Sequence, residues 1–152
     1  ADNTNIDRWK NFIFLIGINM GQRISKGVKD LLTEANKSIE TISALEATEL
    51  LTSEEHIFID LRDMKELKRQ GKIPGAFLCP RGILEFCIDP ESPLHKEIFN
   101  EDKKYVFYCA SGGRSALAAK TASDMGLSPV CHIEGVFSAW KKATNDIEEL
   151  PQ

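Results

Sequence analysis

The stretch that decides the fold is residues 108–115, YCASGGRS. It ends an apolar run, KYVFYC at residues 104–109, whose aromatic and β-branched composition predicts a buried strand. It opens a segment, SALAAKTASDM at residues 115–125, whose apolar residues recur at helical spacing and stop at Gly126. The chain therefore turns from strand to helix within one short loop that begins at Cys109.

The composition of this loop points to chemistry at the cysteine. Gly112 and Gly113 allow backbone angles that turn successive N–H groups inward, which predicts a cup of hydrogen-bond donors. The N-terminus of the following helix and Arg114 add positive charge beside the Cys109 sulfur, so we expect a thiolate there. The competing interpretation is an inert cysteine buried in the core.

Strands and helices alternate along the rest of the chain, and the strands have almost wholly apolar interiors. This alternation predicts a three-layer α/β fold with a central, mainly parallel sheet and helices on both faces. The other predicted strands are residues 56–60, 76–79 and 130–133; the other predicted helices are residues 25–39, 44–51, 64–70 and 138–143, with two short helical pieces after Pro80.

Length and composition limit the classes of function. With 152 residues we expect a single domain, and a net charge of −4 with scattered lysines argues against nucleic acid as a partner. The four cysteines form no CxxC pair and share no zinc-type spacing with histidine, so we expect neither a metal site nor a disulfide framework. Four cysteines in a chain of this size fit a reducing compartment, so we expect a cytoplasmic location. Cys79, Cys87 and Cys131 fit buried apolar positions, and a part in relaying sulfur to or from Cys109 stays open.

The N-terminal stretch, residues 9–20 (WKNFIFLIGINM), is apolar but far shorter than the roughly 20 residues of a spanning helix. No convincing signal-peptide cleavage site follows it. We expect a packing helix or a partly ordered arm, without stable membrane insertion. The helix at residues 25–39 has an apolar face, so docking on a partner or a homodimer stays open.

Four ordered motifs resemble the rhodanese-like sulfurtransferases, in particular the small single-domain bacterial type. The resemblance covers about residues 39–143 and implies an arm and helix at residues 1–38 followed by a rhodanese-like domain at residues 39–152. The motifs are IFIDLRD at residues 57–63, KIPGAFLCPRG at 72–82, YCASGGRSALAAKTASDMG at 108–126 and HIEGVFSAW at 132–140.

The resemblance implies a function for the loop. Cys109 would take a sulfane sulfur from a donor such as thiosulfate, become a persulfide, and pass the outer sulfur to a thiol, cyanide or protein acceptor without a metal or organic cofactor. Arg114 would hold the anionic donor, and Asp60 with Arg62 would brace the fold near the active face. The implied persulfide cradle consists of Ala110, Ser111, Gly112, Gly113 and Arg114.

Loop length distinguishes sulfur transfer from the most similar alternative, which is phosphatase or arsenate reductase activity. Phosphatases and arsenate reductases on the related fold place five residues between cysteine and arginine, whereas this chain has four, which favours sulfur transfer. A rhodanese-like binding or relay module without enzymatic activity is the other alternative. Arg81 either lines the pocket or is solvated. Structural roles are predicted for His56, His95, His132, Phe137 and Trp140.

Overall fold

A five-stranded, all-parallel sheet lies at the centre of the computed structural model, which describes residues 4–17, 21–135, 137–144 and 146–152. The order of its strands is β1-β5-β4-β2-β3, so the chain crosses over the sheet repeatedly, as parallel strands require. The predicted α/β class is confirmed. The strands are β1 Glu40–Ile42, β2 His56–Asp60, β3 Phe77–Leu78, β4 Lys104–Tyr108 and β5 Val130–Ile133.

The helices follow the predicted order with small shifts at their ends. The helix after the cysteine loop begins at Gly113, two residues earlier than predicted. Short 3-10 turns at Arg81–Ile83 and Glu97–Asn100 flank a brief helix after Pro80. The helices are α1 Thr4–Leu15, α2 Val28–Ser38, α3 Ala44–Leu50, α4 Met64–Gln70, α5 Leu84–Ile88, α6 Gly113–Asp124 and α7 Phe137–Thr144.

Each face of the sheet has its own apolar core, because successive side chains of a strand point to opposite faces. Phe107 belongs to the core that contains residues of α5 and α6. Its neighbour Val106 belongs to the other core, which contains residues of α3 and α7, including Phe137 and Trp140. Helices on both faces and the core positions of Phe137 and Trp140 are therefore confirmed. The buried positions predicted for Cys79, Cys87 and Cys131 are also confirmed.

Strand β1 is a correction to the predicted strands, which did not include residues 40–42. These residues pair with β5 at the edge of the sheet, with Thr41 opposite His132. The strand has three residues and buries only Ile42, so it lacks the apolar run that marks the other strands. Ser43 caps the helix that follows, because its hydroxyl accepts a hydrogen bond from the Glu46 amide at 3.1 Å.

The two N-terminal helices differ in how they pack. Helix α1 forms, but Trp9 is 63% exposed and Leu15 is 81% exposed, so the first of the two expected alternatives, a packing helix, is wrong for these side chains. Residues 18–20 of the predicted stretch lie outside the described residues. Among the described residues, no helix combines the length and apolarity needed to cross a bilayer. Helix α2 packs on α6 and fully buries Ala35, while Val28 is 65% exposed and Leu31 is 38% exposed. Its apolar face is therefore only partly covered, and docking on a partner or a homodimer stays a prediction.

A fully buried ion pair at the end of β2 ties three elements together. The Arg62 guanidinium donates to both carboxylate oxygens of Asp60, at 3.1 and 2.9 Å, and to the Gly71 carbonyl at the end of α4, at 2.7 Å. It also lies 4.1 Å above the ring of Phe137 in α7. Neither charged side chain reaches solvent. The pair therefore braces the edge of the sheet from which the cysteine loop leaves.

Removing one charge of this pair leaves the other buried without a partner. Arg62→Met should lower the free energy of unfolding by about 3–5 kcal/mol, measured by urea denaturation. The double variant Asp60→Asn/Arg62→Met leaves no unpaired charge and should lose less than the single variant. A single variant within about 1 kcal/mol of the wild type would contradict the bracing role.

Candidate active site

The loop that turns the chain from β4 into α6 depends on one glycine. Gly112 has φ +90°, a left-handed conformation that side chains other than glycine rarely adopt. A Cβ at this position would also lie 3.2 Å from the Gly135 amide nitrogen. Gly113 is the first residue of α6 and has no positive φ, so the prediction that both glycines need unusual angles is corrected to Gly112 alone. A Cβ on Gly113 would point into open space.

Two main-chain amides point at the cysteine sulfur. The Cys109 Sγ accepts hydrogen bonds from the Gly112 amide at 3.2 Å and from the Ser115 amide at 3.4 Å. Both amides belong to the first turn of α6 or its cap, where the helix dipole adds positive potential. Cys109 is only 3% exposed, and it also borders the core on the α6 face. The sulfur is therefore buried but accepts two main-chain hydrogen bonds, which distinguishes Cys109 from an inert apolar cysteine.

Other amides of the loop have no acceptor of their own among the described residues. Within the described chain, the amides of Ala110, Ser111, Gly113 and Arg114 donate to no protein acceptor. Unpaired N–H groups at a helix N-terminus are a ready site for an anion. Of the predicted cradle residues, Gly112 contacts the Cys109 sulfur directly, and the part of Ala110, Ser111, Gly113 and Arg114 in binding an anion stays a prediction.

The side chain of Arg114 is bound to a residue that the sequence analysis missed. Its two terminal nitrogens donate to the two carboxylate oxygens of Glu66, at 2.8 and 2.9 Å. This hydrogen bonding to Arg114 lowers the pKa of Glu66 to about 2, and the same contact raises the pKa of Arg114. Glu66 is the third residue of α4, where it forms a capping box with Asp63. The D-x-x-E spacing was the sequence signal that could have placed Glu66 at the active edge of the sheet.

Arg81 does not lie beside the cysteine. Its guanidinium donates to Glu85 at 2.7 Å and to the Thr121 hydroxyl at 3.4 Å, two helical turns along α6 from the loop. It therefore belongs to the surface between α5 and α6. Asp60 and Arg62, by contrast, form the buried ion pair at the end of β2, at the edge of the sheet from which the cysteine loop leaves.

Among the described residues, two cavities border the loop. The one that touches Cys109 is lined by Ile73, Phe137, Trp140 and Glu134, among others, and its free volume of about 10 Å³ suits about one water molecule. The other, about 440 Å³ and more polar, lies between α2, the loop and the end of β5. Among the described residues, no group of three or more His, Cys, Asp and Glu side chains is placed to hold a metal ion.

His132 connects the loop to the edge strand and α2. Its Nδ1 lies 3.0 Å from the hydroxyl of Ser115, the residue whose amide points at Cys109. Its Nε2 lies 3.0 Å from the Thr41 hydroxyl and 3.3 Å from the Asn36 side-chain oxygen. The ring is buried, and this burial lowers the pKa of His132. The structural role predicted for His132 thus includes a direct link to the cysteine loop, which no spacing in the sequence revealed.

The lowered pKa of His132 sets a direction for the pH dependence of stability. Between its folded pKa and the unfolded value of about 6.5, the unfolded state binds more protons, so the free energy of unfolding should fall as pH drops below about 6.5. His132→Gln removes this contribution, and urea denaturation across pH 5–8 should show a smaller decline than in the wild type. Equal declines in the two proteins would contradict a neutral, buried His132.

Comparison with known proteins identifies the family. The rhodanese-like domain model matches residues 43–143, and the chain belongs to this family. The mouse thiosulfate sulfurtransferase/rhodanese-like domain-containing protein 3 is 31% identical over 112 residues, covering 70% of each chain. The Bacillus subtilis protein YtwF, provisionally assigned as a sulfurtransferase, is 32% identical over 107 residues, covering 70% of this chain and 94% of YtwF.

A solved structure from Rhodopseudomonas palustris is more similar in sequence. It is 57% identical, covers 86% of this chain and all of its own, and superposes with a TM-score of 0.82. That protein is described as of unknown function and a possible tyrosine phosphatase. The predicted rhodanese-like fold is confirmed, while the chemistry of the loop has to be argued from its own geometry.

Proposed function

We propose that this chain is a sulfurtransferase that carries a sulfane sulfur as a persulfide on Cys109. The observation that carries the proposal is the pair of amides, from Gly112 and Ser115, that point at the Cys109 sulfur at the N-terminus of α6. These donors stabilise negative charge on sulfur without a histidine base. The open amides of the loop supply hydrogen-bond donors for a second sulfur bonded to the first.

The reaction proceeds as two displacements at sulfur. The Cys109 thiolate attacks the outer sulfur of the donor, a new S–S bond forms, and the donor's own bond to that sulfur breaks. The leaving group departs with the electron pair, as sulfite when the donor is thiosulfate and as a thiolate when it is a persulfide. An acceptor thiolate, on a small molecule or a protein, or cyanide in an assay, then attacks the outer sulfur and releases Cys109 as the thiolate.

Intact-mass measurement tests this proposal directly. Incubation with thiosulfate, methanethiosulfonate or the persulfide of cysteamine should add the mass of one sulfur atom with at least one of these donors. The adduct should be absent in Cys109→Ser, which removes the nucleophile.

Cys131→Ser is the matched control, because Cys131 is a buried cysteine in the other core whose pKa is raised to about 11 by burial. This variant should load like the wild type. An adduct that persists in Cys109→Ser, or no adduct with any donor, would contradict the persulfide mechanism.

The phosphatase description of the Rhodopseudomonas palustris protein defines the second candidate function. Two features of this chain disfavour it: only four residues separate Cys109 from Arg114, and the Arg114 guanidinium is bound by Glu66. A phosphate dianion would have to share that arginine with a carboxylate. Hydrolysis of p-nitrophenyl phosphate should therefore be no faster with the wild type than with Cys109→Ser, and a cysteine-dependent rate would favour the phosphatase instead.

A further inference from the structure

Among the described residues around the cysteine loop, negatively charged groups outnumber positively charged ones. Among the described residues, Arg114 is the cation of the loop, and it interacts electrostatically with Glu66, Asp63 and Cys109. Glu134 lines the cavity that touches Cys109, and its Cα lies 3.6 Å from where a Cβ on Gly112 would stand. Arg114 therefore interacts with two carboxylates and with the Cys109 sulfur, and Glu134 adds a third carboxylate to the lining of the cavity. These side-chain charges repel a dianion as it approaches, in opposition to the open amides of the loop, which favour negative charge on the transferred sulfur.

Arg114 is also not free to offset this repulsion. Its two terminal nitrogens are engaged by the two oxygens of Glu66. The Glu66 side chain is only 15% exposed, so a shift of Arg114 towards a donor would leave this carboxylate with little water. Within the described chain, the remaining nearby cation would be Arg62, which is already paired with Asp60. A pKa of about 2 keeps Glu66 ionised at every pH at which a thiolate is abundant, so protonation does not release the arginine.

We infer that the sulfur donor of this site is the persulfide of a neutral or cationic thiol, and not a dianion such as thiosulfate. The inference rests on the proposed sulfur transfer through Cys109. The Cys109 thiolate attacks the outer sulfur of R–S–SH, the S–S bond of the donor breaks, and the thiolate RS⁻ leaves with the electron pair. The proton stays with the transferred sulfur, which is now bonded to Cys109.

Three donors of different charge test the inference: thiosulfate with two negative charges, methanethiosulfonate with one, and the persulfide of cysteamine, which carries an ammonium group. Single-turnover rates of Cys109 persulfidation are measured by quenching and intact mass at low and high potassium chloride. Salt screens charge, so it should speed loading from thiosulfate and slow loading from cysteamine persulfide. Comparing each donor with itself removes the differences in intrinsic reactivity.

Glu66→Gln tests whether the pairing of Arg114 with a carboxylate limits loading from thiosulfate. Glutamine keeps the capping box of α4 but leaves the guanidinium uncompensated, so thiosulfate loading should rise about tenfold while loading from cysteamine persulfide does not rise. Glu85→Gln is the matched control, because it releases Arg81 from a similar ion pair away from the loop. Loading from each of the three donors should be the same in this control as in the wild type.

The outcomes distinguish the two proposals. Thiosulfate loading that salt slows, with no gain in Glu66→Gln, would overturn the inferred donor class while Cys109 persulfidation still supported sulfur transfer. An equal gain in Glu85→Gln would also overturn it, because the effect would then come from overall charge. Failure of all three donors to load Cys109 would overturn the inference together with the proposed function.

Discussion

The site depends on one short-range interaction, the approach of two main-chain amides to the sulfur of Cys109. It exists because α6 begins within the cysteine loop, and this start requires a left-handed residue at Gly112. The same residue has no side chain because Gly135, at the end of β5, comes within 3.2 Å of where a Cβ would stand. A buried thiol that would otherwise be an apolar filler is thereby placed at the positive end of a helix.

Neighbouring strands hold this geometry from both sides. Strand β4, which carries Cys109, lies between β5 and β2 in the sheet. His132 of β5 bonds to the Ser115 hydroxyl, and Arg62, after β2, fills the buried space beneath the active edge. Glu66, on the helix after β2, fixes the Arg114 side chain. The loop is thus restrained by side chains from both adjacent strands and the segments after them, which limits how far it can open to fit a donor.

Sequence patterns predicted the elements that form from local structure and missed the contacts between residues that are distant in the sequence. The bounds of β2, α4 and β5 were predicted as observed, because each is a short, well-marked run of residues. Strand β1 was missed because it exists through pairing with β5 and has one buried residue. Glu66 and Arg114 are 48 residues apart, so their contact follows from the order of the strands and not from any local spacing.

The central claim is that the amides of the loop bind sulfur, first as the thiolate and then as the persulfide. Proton–nitrogen correlation spectra of the ¹⁵N-labelled chain, recorded before and after loading with a sulfur donor, test it most directly. The account predicts downfield shifts of the Ala110, Ser111, Gly113 and Arg114 amides on loading, and none in Cys109→Ser. A loaded protein whose loop amides do not shift, while residues lining the apolar cavity such as Ile73 and Trp140 do, would contradict it.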